Sequence, residues 1–185
     1  MNIKKIHHVA YRCLDAKETV NWYNTHLNMD FVLAIAENEV PSTKAPDPYI
    51  HVFLDAGAGN ILAFFEIPTY EDPIVDPNTP DWVQHIAFEI ESYEDLVETK
   101  EKLLQSGIEV VGPTDHSLFK SIYFFDPNGH RLELAVNVGS DEKRKESMEK
   151  LDRIKWDMLE EWSRTKRAPE HAKWLHEDEF RSEKK

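Results

Sequence analysis

Two stretches of this chain alternate apolar and polar positions in the same order. His8-Val9-Ala10-Tyr11 and His85-Ile86-Ala87-Phe88 share one pattern, that of strands whose successive side chains point to opposite faces. Behind each, the period lengthens to that of a helix. Asp15 can cap a helix carrying Val20, Trp22, Tyr23 and Leu27, and Ser92 can cap one carrying Leu96, Val97, Leu103 and Leu104 before Gly107. The period then returns to two. Phe31 to Ala36, Tyr49 to Leu54 and Ile61 to Glu66 read as strands in the first half, the last of them after the Gly57-Ala58-Gly59 turn. Glu109-Val110-Val111, Ser121 to Phe125 and Arg131 to Val136 do so in the second, with Asp126-Pro127-Asn128-Gly129 as the turn.

The shared order, strand, helix, strand, strand, strand, predicts an α+β fold of paired βαβββ modules, residues 3–68 and 82–138, joined by a linker over 69–81. One such unit exposes an apolar sheet face and is marginal alone, so two should associate into a cupped mixed sheet with outer helices and a cavity inside. Residues 139–185 form a C-terminal helical extension. There Met148, Leu151, Ile154, Met158 and Trp162 recur at helical spacing, a narrow apolar stripe on a charged helix that Ala168-Pro169 should end. Such a stripe packs on its own body or on a partner subunit, so a homodimer is one expected state.

Composition narrows the function. The 185 residues hold one domain or two small modules, and 41% hydrophobic residues exclude global disorder. The longest apolar run, Ile61 to Phe65, is far short of a bilayer span, and a cytoplasmic protein is expected. The single cysteine, Cys13, reads as a small filler on a strand. Net charge is −13 and unevenly placed: the first 139 residues carry 9 basic against 22 acidic side chains, and the tail is balanced. That surface repels phosphate backbones and anionic lipid. Nucleic-acid and membrane partners are therefore disfavoured, and a small molecule is expected.

The chemistry lies on the repeated strands. Alternation places His8, Ala10 and Arg12 on one face of the first strand, and His85, Ala87 and Glu89 on the equivalent face of its repeat. His7 is adjacent to His8 but on the other face. Glu133 sits between Leu132 and Leu134 on an apolar strand, where an uncompensated carboxylate would be expensive to bury. A metal held by His8, His85 and Glu133 resolves that cost, and two imidazoles with one carboxylate suit iron(II) or manganese(II) with positions left open. Ala63 stands where a fourth ligand matching Glu133 would be, and Glu66, three residues on, falls on the opposite face. His26, His171 and His176 read as helix-surface or packing histidines. Arg12 can meet a ligand carboxylate or pair with Glu89.

These residues resemble the vicinal oxygen chelate superfamily, which includes glyoxalase I, bleomycin and fosfomycin resistance proteins, and extradiol ring-cleaving dioxygenases. The resemblance covers about residues 3 to 137. Thr114-Asp115-His116, followed after five residues by Ile122-Tyr123-Phe124-Phe125-Asp126-Pro127-Asn128-Gly129-His130-Arg131-Leu132-Glu133, is similar to the extradiol dioxygenase signature. The resemblance implies iron(II) on His8, His85 and Glu133, a small catechol-like diol chelated through both oxygens, dioxygen as co-substrate, and His116 and Tyr123 as the catalytic positioning pair. Read without it, His116 is equally a loop histidine and Tyr123 a core aromatic. The extradiol pattern has a further active-site histidine near the last strand of the first module. Here no histidine occurs between His51 and His85, so His51 or Tyr70 substitutes, or the reaction is a different one. The alternatives are a lyase or isomerase acting through a chelated enediolate, and a protein that sequesters a drug or metabolite.

Overall fold

A computed structural model describes residues 3–70 and 74–167; Ala168-Pro169, His171 and His176 lie outside the described residues. Its elements follow the expected order: β1 (Val9–Cys13), α1 (Ala16–Leu27), β2 (Asp30–Glu37), β3 (Tyr49–Asp55), β4 (Ile61–Glu66), β5 (His85–Glu89), α2 (Tyr93–Gln105), β6 (Val111–Asp115), β7 (Phe119–Phe125), β8 (Arg131–Asn137) and α3 (Asp141–Thr165). The strands form two four-stranded mixed sheets, ordered β1-β4-β3-β2 and β5-β8-β7-β6. The repeat is visible in burial as well as in order. β3 and β7 have the same succession of buried and half-buried positions, and β4 and β8 match over their first five residues.

Both helices start where their caps are. The Asp15 carboxylate accepts from Glu18 N at 2.7 Å, and the Ser92 hydroxyl accepts from Asp95 N at 3.1 Å while donating to the Asp95 carboxylate at 2.6 Å. In the first sheet β1 runs parallel to β4, and β4, β3 and β2 are antiparallel neighbours. Leu62, Phe64, Val52 and Leu54 face α1, where Tyr23 meets Phe64 with ring centroids 5.0 Å apart. Each large side chain buried this way contributes about 1.5 to 3 kcal/mol.

The first strand after α2 departs from expectation. It is Val111–Asp115, not Glu109-Val110-Val111, and a bulge separates Val111, opposite Tyr123, from Thr114, opposite Ser121. Pro113 has no N–H to give a ladder, so it is tolerated at a bulge on this edge strand. At Gly112 φ is +105°, and a Cβ would stand 2.5 Å from the Ser121 carbonyl oxygen. Only glycine fits there.

The residues gather into two compact units: Met1–Phe88 with Gln105–Glu109 and Phe124–Leu132, and Glu89–Leu104 with Val110–Tyr123 and Glu133–Lys185. In α3 no side chain is fully buried. Met148 and Trp162 of the stripe are exposed, and Leu151, Ile154 and Met158 are half-buried. Among the described residues no helix is long and apolar enough to cross a membrane.

The core predicts an alkaline weakness. Cys13 is a buried filler on β1, as expected, and burial pushes its thiol from the ordinary 9.0 up to about 11. Burial, and then the nearby Asp126 charge, push the Tyr23 phenol upward from 10.0 as well. Both groups keep their protons longer folded than unfolded, so this stability is complete below pH 9 and falls as pH rises from 9 towards 11. Urea midpoints should hold up to about pH 9 and drop steadily between about pH 9 and 10.5, and Cys13→Ala should remove the early part of the fall. A flat profile in the parent protein would contradict this.

Candidate metal and substrate site

In the second unit, alternation along β7 puts Ser121 and Tyr123 on one face, and both reach Glu133. Glu133 is 4% exposed. Its Oε1 accepts from Ser121 Oγ at 2.5 Å and from Tyr123 Oη at 3.2 Å. These bonds compensate part of the cost of burying a carboxylate. His116 Nε2 lies 2.8 Å from Tyr123 Oη, and the ring rests against Phe119. A histidine, a phenol, a serine and a carboxylate thus form one hydrogen-bonded line. The expected proximity of His116, Tyr123 and Glu133 is present. Ser121 was not foreseen, although a polar residue on an apolar strand two positions before Tyr123 was a usable signal.

In the first unit, His85 opens β5, exposed, with Nδ1 3.0 Å from the Val83 carbonyl oxygen. An N–H there donates to the carbonyl and puts the ring's lone pair on Nε2, the arrangement typical of a metal-ligating histidine. His8 lies one residue before β1 rather than within it, and the strict alternation that separated it from His7 does not hold: the two Nδ1 atoms are 2.8 Å apart. Among the described residues no group of three His, Cys, Asp or Glu side chains is gathered to hold an ion. The expected set is divided, His8 and His85 belonging to the first unit and Glu133 to the second. Imidazole and carboxylate are donor types that suit a divalent first-row ion, and of these side chains His85 has its second ring nitrogen turned to a carbonyl.

β4 carries Ala63 and Glu66, the two positions at which a fourth ligand was weighed. Ala63 is fully buried opposite Ala10 and Phe53. Glu66 turns to the helix side, where Oε2 accepts from Ala16 N at 2.7 Å. Of the two substitutes for the missing histidine, Tyr70 is exposed and its hydroxyl donates to Asp47 at 3.4 Å. His51 is buried on β3, stacked on Phe65 at 3.6 Å with its ring centroid 5.9 Å from that of His8. Burial and the neighbouring His8 hold its imidazole below the ordinary histidine range, and its buried Nε2 has no hydrogen-bond partner among the described residues.

A cavity of about 460 Å³ opens in the first unit beside His85. Ala10, Arg12, Phe125, Arg131 and the segment 74–81 line it. The linker expected only to join the modules therefore forms one wall. Arg12 donates to the Tyr70 carbonyl, and the Glu89 carboxylate accepts from Asn137 at 2.5 Å.

The sequence matches the Glyoxalase/Bleomycin resistance protein/Dioxygenase superfamily over residues 5–134. Among solved structures it is similar to a glyoxylase/bleomycin resistance protein/dioxygenase domain from Frankia sp. EAN1pec, with a TM-score of 0.59 at 18% identity, covering 74% of this chain and all of that one. A glyoxalase family protein from Enterococcus faecalis matches with a TM-score of 0.53 at 28% identity, covering 73% and 99%. A mutant of the fosfomycin resistance protein FosX from Listeria monocytogenes, complexed with Mn(II) and 1S,2S-dihydroxypropylphosphonic acid, matches with a TM-score of 0.53 at 21% identity, covering 77% and 98%. The first and third likenesses speak for the fold alone.

Proposed function

The chain belongs to the glyoxalase/bleomycin resistance protein/dioxygenase superfamily, and from that premise we propose that it is an extradiol-type dioxygenase opening the ring of a small catechol-like vicinal diol with dioxygen. His8, His85 and Glu133 would hold iron(II), with manganese(II) as the alternative ion. The chemistry a bound ion of this kind supplies is chelation of both diol oxygens together with activation of dioxygen.

The observation that carries the reading is the line from His116 through Tyr123 to Glu133, 2.8 Å and 3.2 Å long. Tyr123 Oη donates to the carboxylate, so the His116 tautomer that carries its hydrogen on Nε2 donates to the phenol oxygen. The phenol is thereby polarised beside a candidate ligand, and the pair can hold a proton at Oη and pass it between substrate and imidazole.

The test is an oxygen-electrode trace of the anaerobically iron-loaded protein with catechol on admission of air. Uptake of one dioxygen per catechol, with both atoms recovered in the ring-opened product, is expected. Tyr123→Phe should keep its metal and lose roughly 10²- to 10⁴-fold in rate, the usual range for a lost acid–base group. Catechol binding without oxygen uptake would instead favour a lyase, an isomerase or a binding protein.

A further inference from the structure

α3 carries two adjoining apolar seams, one half-buried and one open to solvent. Leu151, Ile154 and Met158 make the half-buried seam. Beside it, Met148 is 58% exposed, Leu159 56% and Trp162 49%. Lys145, Met148, Asp152, Lys155, Leu159 and Trp162 follow one another at alternating steps of three and four residues, the spacing that keeps one line of side chains facing a partner helix. This line is complementary to its own reverse. Turned about the point between Arg153 and Ile154, it sets Met148 opposite Leu159, Asp152 opposite Lys155 and Lys145 opposite Trp162. A second copy of α3 laid antiparallel therefore meets it with apolar against apolar, acid against base, and a cation against an indole.

We propose that α3 is the homodimer interface of this protein, an antiparallel helix pair about a two-fold axis between Arg153 and Ile154. In a two-fold contact each pairing occurs twice. Asp152 and Lys155 bond at 2.5 Å within one helix, and in the pair each also turns to its counterpart across the axis, closing a ring of four alternating charges. Charge selects the place as well. The first 139 residues carry 22 acidic against 9 basic side chains and the rest of the chain is balanced, so copies meeting through α3 escape the repulsion of the acidic surface. The 25 residues of α3 make a helix of about 37 Å, and one pair of that length is at the low end of specific interfaces. A micromolar dimer is expected. The helix lies beyond residues 5–134 matched to the superfamily, so this contact is an addition of the chain's own.

Sedimentation equilibrium of the full chain from about 1 to 200 μM tests this, and monomer should give way to dimer across that range. Asp152→Lys and Lys155→Asp each set like charges across the axis and should each weaken the dimer at least about 10-fold, with circular dichroism checking that the helix persists. An equimolar mixture of the two variants puts opposite charges together again and should restore association. Oxidation of mixed Met148→Cys and Leu159→Cys proteins should join one variant to the other, Cys13 being buried. A parent protein that stays monomeric, a dimer indifferent to both charge variants, or a mixture of them that fails to associate overturns the proposal. So does cross-linking of each cysteine variant only to itself, the mark of a parallel pair.

Discussion

His85→Ala should strip the protein of most of its divalent metal, lowering affinity by at least about 100-fold, beyond the 10- to 100-fold typical of losing a supporting hydrogen bond. Three separate facts converge on this side chain. Its sequence context repeats that of His8, its Nδ1 lies against the Val83 carbonyl, and it lines the cavity that also contains Arg12 and Arg131. Elemental analysis of parent and variant after the same iron or manganese loading decides the matter: one ion per chain in the parent and little in the variant is expected. Full metal in His85→Ala would refute the ligand assignment. Val83 contributes only a carbonyl, so Val83→Ala should keep the metal and separates loss of a ligand from general disturbance of the strand.

The fold was legible because its signals are local and were written twice. Asp15 and Ser92 announce their helices by capping chemistry, and a strand period shared by β3 and β7 produces the same burial at each position. Where the reading slipped, a backbone feature overrode side-chain periodicity. Apolar Val110 and Val111 suggested a strand ending there, whereas Gly112 and Pro113 form a bulge from which pairing continues to Asp115. In the site, Tyr123 and Glu133 were predictable from the hairpin between them because alternation fixes which residues share a face. The contact of His7 with His8 and the wall formed by residues 74–81 were not. Each depends on tertiary placement or on irregular backbone, for which no period exists. His51 is the intermediate case: sequence nominated it with Tyr70, and burial against His8 distinguishes it.

The Asp126-Pro127-Asn128-Gly129 turn shows how much a weak motif can hide, and Asp126→Ala should destabilise the protein by about 3 to 5 kcal/mol, comparable to breaking a buried charged interaction. Read as sequence, it makes a hairpin. In the structure Asp126 is 5% exposed and accepts four bonds: Asn128 N at 2.9 Å, His130 N at 2.8 Å, Tyr23 Oη at 3.0 Å and Asn128 Nδ2 at 3.2 Å. Asn128 in turn accepts from Leu14 N at 2.9 Å and donates to Thr19 at 3.1 Å, and His130 Nε2 meets the Arg12 carbonyl oxygen at 2.7 Å. The hairpin is thereby fastened to the end of β1 and the start of α1, next to Arg12 and Arg131 of the cavity. Truncating Asp126 leaves the Tyr23 hydroxyl buried with its acceptor gone, which is why the loss should exceed that of one hydrogen bond. Tyr23→Phe removes only the donor and should cost about 1 kcal/mol. In the double variant Tyr23→Phe should recover part of the loss, because no buried phenol then lacks an acceptor. Urea unfolding of the three variants measures all of this, and an Asp126→Ala protein within about 0.5 kcal/mol of the parent, the range of an ordinary surface change, would mean that the turn is no clasp.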